Sequence, residues 1–327
     1  MPVIDIHTHM MSERWLTLLQ AHGAPTYTIA PGKSGGSVIH EDGAPFLVMT
    51  PGMLDYAARL KAMDAAGVDL AVISLTCPSV FWGGAEASRE AAQTINDDMR
   101  AAQIAHPDRI RYLATLPWQY PELAAAELER ACGNGAVGVM VLANIRGAPL
   151  TDARFEPVWH AIDARGLPVL VHPTTPPGAR DAALGQFNLI ATVGFVYDTT
   201  LAITRMVMDG FLDRFPNVNL IAAHGGGTIP FISQRIENFF ELTAASREKI
   251  SRPPSEYFAR IYYDAVVYQQ NALVACIDLA GAGHVLYGSD YPHQTGDMPG
   301  CLARVNALPD AQRDKVRGMN ARRIFGF

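Results

Sequence analysis

Eight short runs of apolar, mostly β-branched residues recur along this chain and constrain its fold more than any other feature. The runs lie at residues 3–6, 68–75, 111–116, 137–142, 168–171, 218–222, 261–264 and 285–287. Segments with the 3.6-residue period of a helix separate most of them, at residues 54–66, 85–105, 122–131, 155–165 and 270–280. Strands that alternate with helices favour a parallel sheet, and eight of them are typical of a (β/α)8 TIM barrel. A doubly wound open sheet is the main structural alternative.

Two segments are longer than an ordinary connection between a strand and a helix. Residues 10–51, rich in glycine and proline, follow the first predicted strand, and residues 174–197 follow the fifth. In a barrel both would lie on the catalytic face, where the loops after the strands shape the active site. We predict a small flap in the first segment and a lid in the second. No repeat or low-complexity tract divides the chain, so one domain over residues 1–327 is expected.

Several predicted strands end on residues that bind metals or transfer protons. His7 and His9 close the first predicted strand, His172 the fifth and His224 the sixth, and Asp290 follows the eighth. Residues two apart in a strand face the same side, so the imidazoles of His7 and His9 converge. The carboxyl ends of barrel strands meet at one face, where barrel active sites are built. Imidazoles with one carboxylate suit zinc, with manganese as the alternative, so the sequence predicts a site for one divalent metal ion.

The composition is that of a globular protein that acts on a small molecule. Apolar residues make up 49% of the 327 residues and charged residues 18%, and the formal net charge is −6 at pH 7. Because no basic cluster is present, nucleic acid is not expected as a partner. No uncharged apolar run reaches the roughly 18 residues of a membrane span, and no leader pattern is visible, so we expect a cytoplasmic protein without a membrane partner. The four cysteines form no C-x-x-C pair and are expected to be reduced thiols.

The order and spacing of the motifs resemble those of the metal-dependent amidohydrolase superfamily, in the branch of aminocarboxymuconate semialdehyde decarboxylase and its aromatic-acid decarboxylase relatives. The matching stretches are residues 7–9 (HTH), 169–173 (VLVHP), 214–216 (RFP) through 224–227 (HGGG), 235–236 (RI), 253–257 (PPSEY), 288–292 (GSDYP) and 320–321 (NA). The resemblance covers nearly the whole chain. It implies that His7, His9, His172 and Asp290 bind the metal and that His224 transfers a proton beside it.

The resemblance implies non-oxidative decarboxylation of a small aromatic or unsaturated carboxylic acid. A proton would reach the carbon that bears the carboxylate, from His224 or transiently from Asp290, and carbon dioxide would leave. Hydrolysis of a lactone, ester or amide by a metal-bound hydroxide would use the same ligands and stays open as the alternative. A protein that binds its ligand without turnover is a third hypothesis.

Substrate recognition is where the chain departs from the family pattern. Arg235 matches an arginine that, in the semialdehyde decarboxylase, reaches a neighbouring subunit's site and binds a substrate carboxylate, which implies a homodimer. The companion arginine expected in the first insertion is missing, since residues 45–48 read Pro-Phe-Leu-Val. We therefore expect a less anionic acid, whose ring contacts Phe46, Phe81 and Trp82.

Three further polar residues lie in or after the predicted strands, and the sequence leaves more than one role open for them. His293 stands where the family often has phenylalanine, and we expect it to contact the substrate. Asp264 ends the seventh predicted strand, and it could hold the substrate, support a ligand or only cap a turn. Asp5 could orient a ligand histidine, because a ligating imidazole needs a hydrogen-bond acceptor for its second nitrogen.

Overall fold

A computed structural model describes residues 1–32 and 36–327 of the chain. Its central feature is a sheet of eight strands that neighbour one another in sequence order, with parallel pairing throughout. The strands are Ile4–His9, Leu70–Ser74, Ile110–Thr115, Gly138–Leu142, Pro168–His172, Asn219–Ala222, Tyr262–Asp264 and Val285–Leu286. Each overlaps one of the eight predicted runs, so the strand prediction is confirmed.

The sheet closes on itself between the first strand and the segment that ends the eighth. The backbone N–H of Ile6 donates to the carbonyl of Tyr287 at 3.0 Å, and that of His9 donates to the carbonyl of Tyr291 at 2.7 Å. Thr8 and Tyr291 also form a parallel bridge. The architecture is therefore the predicted (β/α)8 barrel, and the open doubly wound sheet is excluded. All loops that follow the strands gather at one mouth.

Helices surround the barrel, and local sequence explains their ends. The helix predicted at 54–66 begins at Tyr56, because the side chain of Asp55 accepts hydrogen bonds from the N–H groups of Ala57 and Ala58. It ends at Gly67, which adopts a left-handed φ of 76°. The α-helices are Glu13–His22, Tyr56–Ala66, Ala85–Ala105, Pro121–Gly133, Glu156–Asp163, Phe195–Met208, Phe211–Arg214, Ile229–Leu242, Pro254–Phe258, Gln270–Ala280, Met298–Asn306, Asp310–Asp314 and Asn320–Phe325, and Ala223–Gly226 forms a left-handed turn.

The first insertion, residues 10–51, contains the helix Glu13–His22 and a small antiparallel sheet. The strands of this sheet are Tyr27–Pro31, Ser37–Glu41 and Ala44–Val48. Residues 33–35 of the same insertion lie outside the described residues. The hydroxyl of Thr175 donates to the carboxylate of Glu41, and that of Thr50 to the carbonyl of Pro292 at 2.9 Å, so the sheet is tied to two loops of the barrel mouth. Movement of this sheet as a flap stays a prediction.

The second insertion, residues 174–197, consists of turns that lead into a π-helical turn, Ile190–Gly194, and then into the helix Phe195–Met208. The predicted segment therefore ends inside a helix rather than before it. Its side chains Phe187, Val193 and Tyr197 are exposed. A role for this segment as a lid stays a prediction.

Buried apolar side chains form one continuous core that runs from Val3 to Phe325. The assignment of residues 1–327 to a single domain stays a prediction. Within the described residues, no helix combines the length and the apolar character needed to cross a bilayer.

Candidate metal centre

The polar residues predicted at the strand ends converge at the barrel mouth. The Nε2 atoms of His7 and His9 are 3.1 Å apart, and Oδ1 of Asp290 lies 3.5 Å from the first and 3.2 Å from the second. The ring centroid of His172 lies 5.2 Å from that of His7 and 4.8 Å from that of His9. All four residues are buried. Side-chain atoms that could bind a metal form two overlapping groups, in each of which the atoms lie within 4.8 Å of one another. One group is His7, His172, His224 and Asp290; the other is His9, Asp290 and His293.

The hydrogen bonds of the imidazole rings leave their second nitrogens free for a cation. Nδ1 of His172 lies 2.7 Å from the carbonyl of Pro173, and Nδ1 of His7 lies 2.5 Å from a carboxylate oxygen of Asp264. Both acceptors require a proton on Nδ1, so in the neutral rings Nε2 carries a lone pair that points into the cluster. Oδ1 of Asp290 is also buried there, without a hydrogen-bond partner among the described residues. This donor set fits one divalent metal ion.

The electrostatics of the cluster favour neutral imidazoles at His9 and His172 beside an ionised carboxylate at Asp290. Burial lowers the pKa of His9 to about 3 and holds the pKa of His172 well below its usual value. For Asp290, burial alone would raise the pKa, but the charge of His293 and the close approach of the His224 and His9 side chains outweigh it and hold the pKa well below its usual value. For His7, burial would lower the pKa, but the charge and hydrogen bond of Asp264 outweigh it and raise the pKa, so a metal ion bound at Nε2 of His7 would displace a proton.

Asp264 links the metal cluster to His224. One of its carboxylate oxygens bonds to Nδ1 of His7 and accepts the N–H of His224 at 3.0 Å. The other accepts the N–H groups of Gly225 at 2.9 Å and Val266 at 3.0 Å. The carboxylate is fully buried, and the charge and hydrogen bond of His7 overcome the effect of burial and lower its pKa. Of the roles left open by the sequence, the structure therefore places Asp264 behind the ligands.

The backbone at His224 is held in an unusual conformation. His224 has φ 54° and ψ 49°, and Gly225 follows with φ 61°. A Cβ atom at Gly225 would lie 2.7 Å from Val267, and one at Gly226 would lie 2.6 Å from the ring of Tyr263. The glycines after His224 are therefore needed both for their left-handed backbone and for lack of space. The turn aims the imidazole at the cluster, with ring centroids 5.1 Å apart for His224 and His7.

A cavity of about 640 Å³ opens in front of the cluster. His172, His224 and Asp290 form its polar floor. Of the predicted substrate contacts, Phe46 and His293 line this cavity, and Nε2 of His293 lies 2.9 Å from the hydroxyl of Thr76. Within the described residues, the lining contains no lysine or arginine. The metal cavity is therefore largely apolar, with imidazoles and Asp290 at one end.

Three predicted substrate contacts do not reach this cavity. Trp82 is buried against Trp15, with ring centroids 6.1 Å apart, and Phe81 lines a separate, smaller cavity. Both belong to the loop after the second strand, whose path the sequence pattern does not specify. Arg235 lies exposed on the helix Ile229–Leu242, with its guanidinium carbon 5.1 Å from the ring centroid of Phe239. Contacts of Phe81, Trp82 and Arg235 with the substrate therefore stay predictions.

Arg59 was not identified from the sequence. It is fully buried and lies in the helix Tyr56–Ala66, where its Nη1 donates to the hydroxyl of Thr8 at 2.6 Å and its Nη2 to the carbonyl of His9. Its guanidinium also lies 4.9 Å from the ring centroid of Tyr291, the neighbour of Asp290. Arg59 therefore contacts both the end of the first strand, which carries His9, and the segment after the eighth strand, which carries Asp290. An arginine in a helical segment gives no sequence signal for such a role, because most are exposed.

Comparison with known proteins agrees with this geometry. The chain matches the family model described as amidohydrolase over residues 4–327. It is 29% identical over 331 residues to 2-amino-3-carboxymuconate-6-semialdehyde decarboxylase of Dictyostelium discoideum, covering 99% of this chain and 91% of that relative. The resemblance predicted from the motifs is confirmed.

Solved structures give the same result. The crystal structure of 5-carboxyvanillate decarboxylase from Sphingomonas paucimobilis is 27% identical with a TM-score of 0.87, covering 100% of this chain and 99% of the other. A dihydroxybenzoic acid decarboxylase from Polaromonas, with bound manganese and the inhibitor 2-nitroresorcinol, shares the fold at 23% identity and a TM-score of 0.81, covering 99% and 97%. The full-length family match, the barrel and the cluster at its mouth together show that this chain belongs to the amidohydrolase family.

Proposed function

We propose that this protein is a metal-dependent decarboxylase that releases carbon dioxide from a small aromatic or unsaturated carboxylic acid. The observation that carries the proposal is the convergence of His7, His9, His172 and Asp290 beside His224, where His172, His224 and Asp290 line the floor of a largely apolar cavity. The relatives named above support it, because each is named for a decarboxylation. Hydrolysis, the alternative that the sequence left open, has no such support.

His7, His9, His172 and Asp290 would hold one divalent ion. Bound there, the ion would supply positive charge that polarises an oxygen substituent next to the substrate carboxylate. The ligand set suits zinc, and the manganese in the Polaromonas relative supports manganese as the second candidate.

His224 is placed to deliver the proton. Its Nε2 lies 3.7 Å from Oδ2 of Asp290, its Nδ1 has no hydrogen-bond partner among the described residues, and its side chain is 13% exposed. In the proposed step, His224 gives a proton to the carbon that bears the carboxylate. The bond between that carbon and the carboxylate then breaks, its electron pair returns to the ring or conjugated chain, and carbon dioxide leaves. Water reaching the exposed edge of the ring restores the proton, or Asp290 relays it.

The metal cavity favours a substrate with a flat apolar body. Phe46 lines one wall and would pack on the ring, while His293, held by Thr76, would bond to a polar substituent. The lining supplies no lysine or arginine from the described residues of this chain. The body of the substrate in this cavity is therefore uncharged apart from the carboxylate that reacts.

The reaction is tested by measuring carbon dioxide. The protein is loaded with manganese or zinc and incubated with a panel of hydroxybenzoates and muconic semialdehydes. We expect carbon dioxide and the decarboxylated product in equal amounts from at least one compound, and neither from the metal-free protein. Hydrolysis of a lactone or ester panel, without carbon dioxide from any acid, would contradict the proposal.

We also propose that the protein is a homodimer in which the helix Ile229–Leu242 faces the second copy. Three apolar side chains of this helix are exposed, Phe231 at 90%, Leu242 at 76% and Phe239 at 48%. Exposed apolar patches of this kind mark interaction surfaces in soluble proteins. Arg235 lies on the same helix and would be carried toward the neighbouring subunit.

Light scattering tests the dimer. We expect the mass of two chains for the natural protein and of one chain for Phe231→Glu, while Ile104→Glu, at an apolar residue 64% exposed elsewhere, should stay dimeric. A monomeric natural protein would contradict this part of the proposal.

A cytoplasmic location is part of the same proposal. All four cysteines are free, and three of them are buried. Burial raises the pKa of the Cys77 thiol to about 12, which keeps it protonated and unreactive. Such thiols suit a reducing compartment.

A further inference from the structure

A second cavity lies at the barrel mouth beside the metal cavity. Its volume is about 200 Å³, and its walls come from the first insertion and from the loops after the second, fourth and fifth strands. Tyr27 lines this cavity and Phe46 lines the metal cavity, and their ring centroids are 6.3 Å apart. Cys77 lines the metal cavity, and Pro78, the next residue in the chain, lines the second cavity. The two cavities therefore lie side by side at the barrel mouth.

Arg146 is the single lysine or arginine among the described residues that line either cavity. Its exposed side chain makes no hydrogen bond or ion pair with any described residue. Glu41 lines the same cavity, but its two carboxylate oxygens accept bonds from the hydroxyls of Tyr27 and Thr175. The guanidinium of Arg146 is thus left free to bind a ligand.

Arg146 adopts a left-handed backbone conformation that is unusual for an arginine. Arg146 and Gly147 form a two-residue turn between the short strands Asn144–Ile145 and Ala148–Pro149, with φ values of 53° and 83°. Turns with positive φ at both positions favour Asn-Gly, and long side chains are disfavoured in that region. A strained residue whose side chain lines a cavity points to a function in that cavity.

Buried polar groups fix the hairpin that carries Arg146. The side-chain amide of Asn144 donates to the carbonyl of Thr175 at 3.1 Å and to the carboxylate of Asp198 at 3.0 Å, and its oxygen accepts the N–H of Gly147 at 2.8 Å. Asn144 and Asp198 are both buried. The hairpin is therefore tied to the loop after the fifth strand, so that Arg146 projects from a rigid base.

We propose that the second cavity is a carboxylate-binding subsite, in which Arg146 binds a second acidic group of the substrate whose reacting carboxylate lies at the metal centre. The inference rests on the proposed decarboxylase function. The planar guanidinium binds a carboxylate through two parallel hydrogen bonds, and the metal cavity offers no such cation. An arginine on the loop after the fourth strand would then take the place of the one missing at residues 45–48, and this proposal replaces the expectation of a less anionic acid.

Two ligands with the same nitrophenol group test the subsite by calorimetric titration of the manganese-loaded protein. 4-Hydroxy-3-methoxy-5-nitrobenzoic acid carries a carboxylate away from the nitro group, and 2-nitroresorcinol carries none. The variant Arg146→Asn removes the guanidinium and suits the turn, so we expect a melting temperature that is not lowered. We expect it to bind the nitrobenzoic acid roughly tenfold or more weakly, and 2-nitroresorcinol as tightly as the natural protein.

Arg180→Asn is the matched control, because Arg180 is an 88% exposed arginine on the segment after the fifth strand. It should leave both affinities unchanged. Equal binding of the nitrobenzoic acid by Arg146→Asn and the natural protein would overturn the subsite, and so would an equal loss of both ligands. If the natural protein binds neither ligand, the metal centre of the proposed function has failed, which is a separate result.

Discussion

The two walls of the metal cavity differ in both chemistry and origin. The metal-facing wall consists of buried histidines and Asp290 at the ends of barrel strands, and carboxylate or carbonyl groups orient its rings. The facing wall is the last strand of the small sheet, Ala44–Val48, which is uncharged and only partly buried. The barrel therefore fixes the position of the proposed metal ligands, whereas an insertion outside the barrel shapes the proposed substrate side.

The largest expected effect comes from His224 on the metal-facing wall. Replacement of His224 by alanine should lower kcat by about 10²- to 10⁴-fold, because it removes the proposed proton donor. Metal content should stay the same, since none of the four proposed ligands is changed. His22→Ala, at an exposed histidine, is the control and should keep full activity. Loss of the metal in His224→Ala would place His224 among the ligands and change its role.

A smaller effect is expected from Asp264, behind the same wall. In the natural protein, the two carboxylate oxygens of Asp264 accept from four N–H donors. Asp264→Asn keeps the size of the side chain but leaves a single oxygen to accept from them. We expect metal affinity to fall about 10- to 100-fold, as for other groups that orient a ligating histidine. Titration with manganese, followed by its paramagnetic resonance spectrum, measures this. The control Asp278→Asn, at an exposed residue, should bind as the natural protein does. An unchanged affinity and spectrum would show that His7 does not depend on Asp264.

The buried imidazoles predict the direction of the pH dependence. Burial lowers the pKa of His9 to about 3, so its contribution to stability is present above its unfolded pKa near 6.5. As the pH falls from 6.5 toward 3, the unfolded chain takes up a proton that folded His9 does not. We expect the metal-free protein to lose about 1 kcal/mol of unfolding free energy per pH unit from this residue. His9→Gln should flatten the fall in urea denaturation, and an equally steep fall in this variant would contradict the assignment.

The smallest effect is expected on the opposite wall. Phe46→Ala should raise KM roughly threefold to tenfold and leave kcat nearly unchanged, because the ring contributes apolar contact and not chemistry. Phe187→Ala, at a side chain that is 88% exposed, serves as the control. A large fall in kcat for Phe46→Ala would mean that the small sheet takes part in the chemical step, and the contrast between the two walls would disappear.

The metal-facing wall could be predicted from sequence because local patterns determine it. Period and composition located the eight strands, and the rule that strand ends share one mouth brought His7, His172 and Asp290 together. The role of Arg59 could not be predicted in this way, because it depends on a contact between segments that are distant in the chain. Arg59 lies in an ordinary helical pattern, yet it bonds to the end of the first strand.

The opposite wall could not be predicted to the same degree. Phe46 lies in the first insertion, whereas Phe81 and Trp82 lie in the loop after the second strand. Of the three, only Phe46 lines the metal cavity. The path of such loops depends on hydrogen bonds like that between Thr175 and Glu41, which join residues far apart in the chain. The sequence pattern likewise does not predict the unpaired guanidinium of Arg146, because its position depends on the turn and on the cavity.

In the proposed metal centre, His7, His9, His172 and Asp290 hold one divalent ion at the barrel mouth. Anomalous scattering at the zinc absorption edge, from a crystal of the zinc-loaded protein, tests it most directly. We predict a single strong peak about 2.0–2.2 Å from one atom of each of the four side chains, with His224 alongside it. A peak elsewhere, or none at this cluster, would contradict the account.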